Sequence, residues 1–490
     1  MEWKRVLILV LIFAGSVALR VPNLNRPLSK HHEFVTAISL RVLQVWEQEG
    51  AINLGLNPAM NYSGRANKGI DNHATSLHKL CDEQGNFYYT SHPPLAYILP
   101  YATFQLVGAS ASVLNLQIFH LFFHFLSGVL LLLIIKNLDG TQRAQLIGFT
   151  VYCFLPSTLW FQSNTYMSDM LVHFFFLWGI LSLIRIKKAP STRRLFVLLG
   201  VVFLMSYTSW LSVFFAFSGG IYALLFLKAI RWKVIAALFL GTMAGLVLMV
   251  IQYSTIAGFD IFWEQLTQRF GVRGSNSSES TAGFFDQKLK EMGLLLFNYV
   301  ANYGSLAILV LSLLLHRLGG RKVVYFGQMK EFALISLLPI LLLHLVLLNY
   351  SGHDFTALYA SGFIAVSAAF VLSEFASRAQ SLHLGTIVVL GSAVYLWVNR
   401  PGEISQNGDR YNEFALQGEF IRTTVSDDDV VFWMGKELDP MTIVYAKRNL
   451  VEITTIKEAH DYLVDHQFQT GVIIEATPGL LESKKIDRQN

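Results

Sequence analysis

Long apolar runs separated by short basic segments fill most of the first 400 residues, and a run of about twenty apolar residues is what one crossing of a bilayer requires. This pattern predicts about eleven membrane-spanning helices. They fall at residues 5–22, 114–135, 144–162 and 168–186, then as two short helices within 195–228, and then at 233–254, 292–315, 331–349, 355–376 and 383–398. Residues 6–19 have the apolar character of a secretion signal, but no small-residue cleavage site follows, so a retained first helix is expected.

Basic residues fix the parity of these crossings, because short loops rich in Lys and Arg stay in the cytoplasm. Lys4 and Arg5 place the N-terminus inside, and Arg185, Lys187, Lys188, Arg193 and Arg194 form the strongest cytoplasmic marker. The polar stretch at 23–92 is then external, as is a second loop at 255–291. Residues 93–108 are apolar, but a crossing there would turn the basic loops outward; an interfacial helix is expected instead. Within 195–228, basic residues at both ends require two short helices that turn near Ser206 to Trp210. After Arg400-Pro401-Gly402 the pattern changes to alternating strand-like and helix-like segments, DDVVFWM, PMTIVYAKR, NLVEIT, IKEAHDYLVDHQ and TGVIIEA. Residues 401–490 are thus expected to form a small external α/β domain with a parallel sheet, following a membrane domain at 1–400. It carries no Gly-rich phosphate fingerprint, and docking or lid duty is its expected role.

Composition agrees with a polytopic α-helical membrane protein. Of the 490 residues, 53% are apolar and only 14% charged, about half the charge density of a soluble domain. The formal charge of +5 comes from basic residues beside apolar runs, so topology explains it and a nucleic-acid partner does not. Cys81 and Cys153 supply neither a disulfide framework nor a metal signature.

Candidate chemistry gathers in the first polar stretch, between RPLSKHHEF (26–34) and YYTSHPPLAYILPY (88–101). Glu33, Asp71, Asp82 and Glu83 lie there, with His31, His32, His73, His78 and His92. Glu33 opens a helix whose Phe34, Ile38, Leu40 and Val45 would hold it against the membrane; a carboxylate partly desolvated in this way suits a general base. The alternative is an acid that stabilises the helix N-terminus. His31 and His32 with Glu33 are candidate ligands of a divalent metal ion, but sequential neighbours point different ways, so His92 or Asp169 would have to supply further ligands. Asp169 stands at the end of a long apolar run, where an acid needs either a partner or a task; an N-cap is the simpler reading. His120 and His124 share a helix face among aromatics, which favours packing, and His353-Asp354 at another helix end is open to both readings.

Taken together, the Arg26-Pro27-Leu28 opening of the first external loop, the following acidic position, His92-Pro93-Pro94-Leu95 and the M-x-D-x-L-x-x-F-F-F helix around Asp169 resemble the GT-C superfamily of membrane glycosyltransferases. The likeness is nearest to protein O-mannosyltransferases and lipid A aminoarabinose transferases, and it covers residues 1–200 by motif and the rest by hydropathy. Members usually carry Asp-Glu at the start of that loop, where this chain has His32-Glu33, so the resemblance leaves Glu33 as catalytic base and matches Asp169 to the acid of the second external loop. It implies inverting transfer of a sugar from a polyprenyl-phosphate donor to a lipid, glycan or protein acceptor. The site would lie at the external, periplasmic face of a bacterial inner membrane. Lys30, Arg269 and Arg273 are candidates for the departing phosphate, and His31, His32, His92 and His353 for acceptor or metal contacts.

Two other classes stay open. A transporter or flippase would set ionisable residues near the bilayer midplane and show repeat symmetry, whereas these acids collect at one face. A non-catalytic membrane scaffold would account for the missing Asp.

Overall fold

The computed structural model describes residues 3–29, 31–72, 80–274, 281–318, 326–375, 385–386, 389–394, 412–477 and 480–488. The expected crossing at 383–398 and the Ser-rich patch at 275–280 fall wholly or largely outside these residues, as do Lys30, His73 and His78. The chain divides into two compact units, one of residues 1–24, 117–249 and 268–399, the other of residues 25–116, 250–267 and 400–490.

The first unit is helical. Among the described residues six helical segments are long and apolar enough to cross a membrane: Trp3–Asn23, Val113–Asn137, Ser168–Lys188, Arg231–Ala257, Gln328–Val346 and Asp354–Ser373. The protein is an integral membrane protein on this evidence. Thr192–Ser206 and Leu211–Phe226 are two short helices joined by a turn at 207–210, where the basic flanks required one. The continuous helix expected over 144–162 is broken instead into Gln142–Phe154 and Pro156–Phe161. Pro156 is the reason: it excludes Leu155 from helical geometry, and Leu155 sits at ψ 139°.

That break creates a polar anchor. The buried Arg20 donates to the carbonyls of Thr158 (3.1 Å) and Leu159 (3.0 Å), near the negative end of the short Pro156–Phe161 helix. It also reaches Ser16 Oγ at 3.1 Å and His124 Nδ1 at 2.9 Å. His124 and His120 pack edge-on against Tyr152 and Tyr166, so the pair serves packing and hydrogen bonding. Gly148 lets two helices close up, since a Cβ there would collide with Ile135.

The second unit wraps the polar stretch around one helix, Glu33–Glu49. An apolar face turned to the membrane was expected, yet residues 35–46 are buried throughout, polar Thr36, Ser39, Arg41 and Gln44 included. Chain folded over the helix engages part of them: Arg41 Nε donates to the Met60 carbonyl at 2.5 Å and Tyr62 Oη to Gln44 Oε1 at 2.8 Å, while Arg41 Nη1 and Nη2 find no hydrogen-bond partner among the described residues; Trp46 Nε1 donates to the Asn57 carbonyl at 2.8 Å. Burial lowers the Arg41 pKa to about 10, with Tyr62 and Asp71 opposing that fall. The apolar helix Leu95–Val107 has 13 residues and a length of about 20 Å, less than the roughly 30 Å hydrocarbon core.

Residues 430–487 supply a four-stranded sheet, β1 (Val430–Gly435), β2 (Leu450–Ile453), β3 (Thr470–Thr477) and β4 (Leu480–Asp487), in the order β2-β1-β3-β4. β1 pairs in parallel with β2 and β3, while β4 returns antiparallel to β3. Strand alternation splits the core between two faces. Val431, Trp433, Val472 and Ile474 pack with Val45, Ala59 and Tyr62 from the polar stretch, whereas Val430, Phe432 and Ile473 pack with Ala459 and Leu463 of the helix Ile456–Asp465. Asparagines stitch the first face: Asn449 accepts from Tyr62 N at 3.0 Å, and Asn67 accepts from Asn449 N at 2.9 Å.

Candidate active site

In the second unit, the chemistry of the first polar stretch centres on an ion pair. Both Glu33 carboxylate oxygens meet the Arg26 guanidinium, Oε2 at 2.8 Å from Nη1 and Oε1 against Nη2, and the Ser29 backbone N–H donates to Oε2 at 2.8 Å. Both side chains are buried. A bidentate fork of this kind is the strongest geometry a carboxylate can adopt with a cation, and it occupies the lone pairs that a general base would use. Sequence reading expected a partly desolvated Glu33; the structure buries it and adds a cation partner that ties the helix start to the loop before it. Arg26, seven residues upstream in the string Arg26-Pro27-Leu28, was the missed partner.

His31 and His32 precede it with φ of 43° and 62°, the left-handed region that non-glycine residues enter at a cost of order 1 kcal/mol each. This strain reverses the expectation that the two rings diverge. Consecutive side chains diverge in extended chain, but here the turn brings the ring centroids to 5.2 Å, edge to face, with ligand nitrogens within 4.8 Å of one another. The pair therefore fits one divalent ion, with further ligands still required. His92 is fully buried, its carbonyl accepts from Tyr253 Oη at 2.6 Å, and the neighbouring Thr90 donates to Gln265 at 2.7 Å.

In the first unit, Asp169 lies in the first turn of Ser168–Lys188, at the end opposite the basic terminus of Arg185, Lys187 and Lys188. Met167, not Asp169, occupies the N-cap. The Asp169 side chain is 1% exposed; Oδ1 accepts from the Tyr359 hydroxyl, and Oδ2 lies 3.3 Å from Ser168 Oγ. Arg273 sits 4.9 Å above the Tyr350 ring. Burial, reinforced by the Asp169 charge, pushes the Tyr350 hydroxyl well above the usual phenol range, so it stays a donor. His353 stacks on Phe355 at 5.2 Å and meets Tyr350 edge-on at 6.0 Å. Arg269, one turn before Arg273, is 9% exposed. Asp169, Arg273 and His353 thus share one neighbourhood through Tyr350. Both tyrosines stand in the acid-bearing segment NYSGHDFTALYA, the only hint of them in the sequence.

No protein-family model matches this sequence, and no curated protein sequence matches it significantly. Solved structures do match. ArnT from Cupriavidus metallidurans bound to undecaprenyl phosphate superposes with a TM-score of 0.60 at 11% identity, over 95% of this chain and 92% of that one. The archaeal oligosaccharyltransferase AglB from Archaeoglobus fulgidus, in complex with an inhibitory peptide and a dolichol-phosphate, gives 0.57 at 11% identity, over 96% and 69%. The Archaeoglobus fulgidus oligosaccharyltransferase in complex with Zn and sulfate gives 0.54 at 14% identity, over 95% and 68%. The chain is thus an integral membrane protein of the fold class these transferases share. That class is the GT-C fold, as the motifs around Glu33, His92 and Asp169 suggested.

Proposed function

We propose that this protein transfers a sugar from a polyprenyl-phosphate donor to an acceptor hydroxyl at the external face of the membrane, with inversion. The observation that carries the reading is Asp169, a buried carboxylate at a helix end with tyrosine and arginine around it, in a chain of GT-C fold. An acid at that position is costly without a task.

In this reading the acceptor oxygen attacks the anomeric carbon from the side opposite the phosphate. The new C–O bond forms as the bond to phosphate oxygen breaks, the hydroxyl proton passes to Asp169, and the polyprenyl phosphate departs. Asp169 rather than Glu33 takes the proton, because its oxygens meet only neutral hydroxyls among the described residues, those of Tyr359, Tyr350 and Ser168, whereas the Arg26 guanidinium engages both Glu33 oxygens. Arg269 and Arg273 stabilise the departing phosphate by charge-assisted bonds, Arg273 being oriented by the face of Tyr350. Lys30 and His353 are retained as phosphate and acceptor contacts respectively, and His92 as an acceptor contact. Glu33 builds the loop that presents His31 and His32, which would hold a divalent ion. Such an ion would supply Lewis acidity and orientation to bound oxygen atoms.

By the parity of the basic loops, the site faces the periplasm from a bacterial inner membrane. Product analysis after incubating purified protein with polyprenyl-phosphate sugars and candidate acceptors tests the proposal: a glycosylated acceptor and released polyprenyl phosphate are expected. Failure of every donor to lose its sugar would refute it.

A further inference from the structure

We infer that a basic groove in the second unit receives an anionic glycan, as the acceptor class of the transfer proposed above, on which this inference rests. Two cavities form it. The larger, about 650 Å³, is bounded by Arg65, Asn67, Lys447, Arg448, Gln467 and Phe468, and its volume suits a small-molecule ligand. The smaller, about 290 Å³, is bounded by Arg26, Gln44, Tyr445 and again Lys447. Arg422 and Lys447 line both, so the two adjoin and the groove leads to Arg26, the partner of Glu33.

Charge and lining decide the ligand. Five cations, Arg26, Arg65, Arg422, Lys447 and Arg448, face two acids, Asp427 and Asp428. Arg26, Arg422 and Arg448 are paired with Glu33, Glu419 and Asp427; Lys447 feels the Glu47 carboxylate through space, but among the described residues no hydrogen bond or close ion pair engages its ammonium. Lys447 closes the helix Pro440–Ala446 as a left-handed C-cap at φ 53°, which fixes its backbone at the junction of the cavities. The amides of Gln467 and Gln469 and the Gln48 Nε2 offer donors and acceptors beside the internally bonded Ser63, Asn67 and Thr470, a polar lining that complements a hydroxyl-rich chain and not a lipid tail. The Phe468 ring, with the Arg65 guanidinium 5.0 Å from its centroid, adds a stacking surface.

Binding of hexagalacturonate, a carboxylated oligosaccharide, and of neutral maltohexaose to the full chain in detergent, followed by calorimetry, tests the groove. Hexagalacturonate should bind with an affinity that falls as salt rises, and maltohexaose at least about tenfold more weakly. Lys447→Glu should weaken hexagalacturonate by at least about tenfold, and Lys447→Gln by less, with melting temperatures unchanged. Equal affinity for the two oligosaccharides overturns the inference. So does wild-type affinity in both variants, an absence of binding, or binding confined to nanodiscs of phosphatidylglycerol. Should Lys447→Glu fail to fold, Lys447→Gln decides the matter on the same readout. No donor or turnover enters this experiment: binding without any transfer sinks only the transferase reading, and transfer without this binding sinks only the groove.

Discussion

At the scale of single residues, two carboxylates that looked alike in sequence have different surroundings. Asp169 meets neutral hydroxyls where Glu33 meets a guanidinium, so under the proposed mechanism Asp169→Asn should lower turnover by roughly 10²- to 10⁴-fold, the usual worth of a general base, with donor affinity retained. Glu33→Gln strips the charge that pairs with buried Arg26, and breaking one side of such a pair costs about 3–5 kcal/mol. Its main effect should therefore appear as a fall in thermal stability. Near-normal turnover in Asp169→Asn together with a stable but inactive Glu33→Gln would return the base to Glu33. For the histidines, purified protein should bind about one divalent ion, His31→Ala and His32→Ala should each lose it, and chelation should abolish transfer until the ion is restored. Full transfer by metal-free protein would leave His31 and His32 as hydrogen-bonding groups.

At the scale of elements, the sheet is tied to the polar stretch by one of its faces. Trp433 is 2% exposed and lies on that face with Val45, Ala59 and Tyr62. Trp433→Ala should destabilise the protein by about 3–5 kcal/mol, read as lost thermal stability of the full chain. Because the polar stretch shares this core, protection of the Glu33–Glu49 amides from hydrogen exchange should fall with it. Unchanged protection of that helix would mean that the sheet is an independent appendage. The element boundaries were legible where side-chain pattern alone decides them. The turn at 207–210 followed from its basic flanks, whereas the break at Leu155 depended on weighing one proline against an otherwise apolar run.

At the scale of the whole molecule, parity makes a claim that labelling can check. In a Cys81→Ser background, Ser63→Cys and Lys457→Cys should react with an impermeant thiol reagent from the same side of the membrane, and Ser191→Cys, beside the basic loop, from the other. Reaction of the first two from opposite sides would overturn the eleven-helix topology. The same experiment bears on residues 93–108, because a crossing there would bring Ser63 and Ser191 to the same side.

The sequence by itself determined the membrane class, the six crossings described here and the two regions rich in candidate chemistry. Those features depend on composition and periodicity summed over many residues, where local errors average out. The GT-C likeness also rested on local strings, RPL, HPPL and the helix around Asp169, and the fold is shared with solved structures at only 11–14% identity. Tertiary structure alone decided what each carboxylate touches. The fork between Arg26 and Glu33 depends on a turn through two left-handed histidines, and the Asp169–Tyr359 bond joins positions 190 residues apart. Such pairings leave no periodic trace in a single sequence, because a side chain's partner is set by where the backbone returns in space.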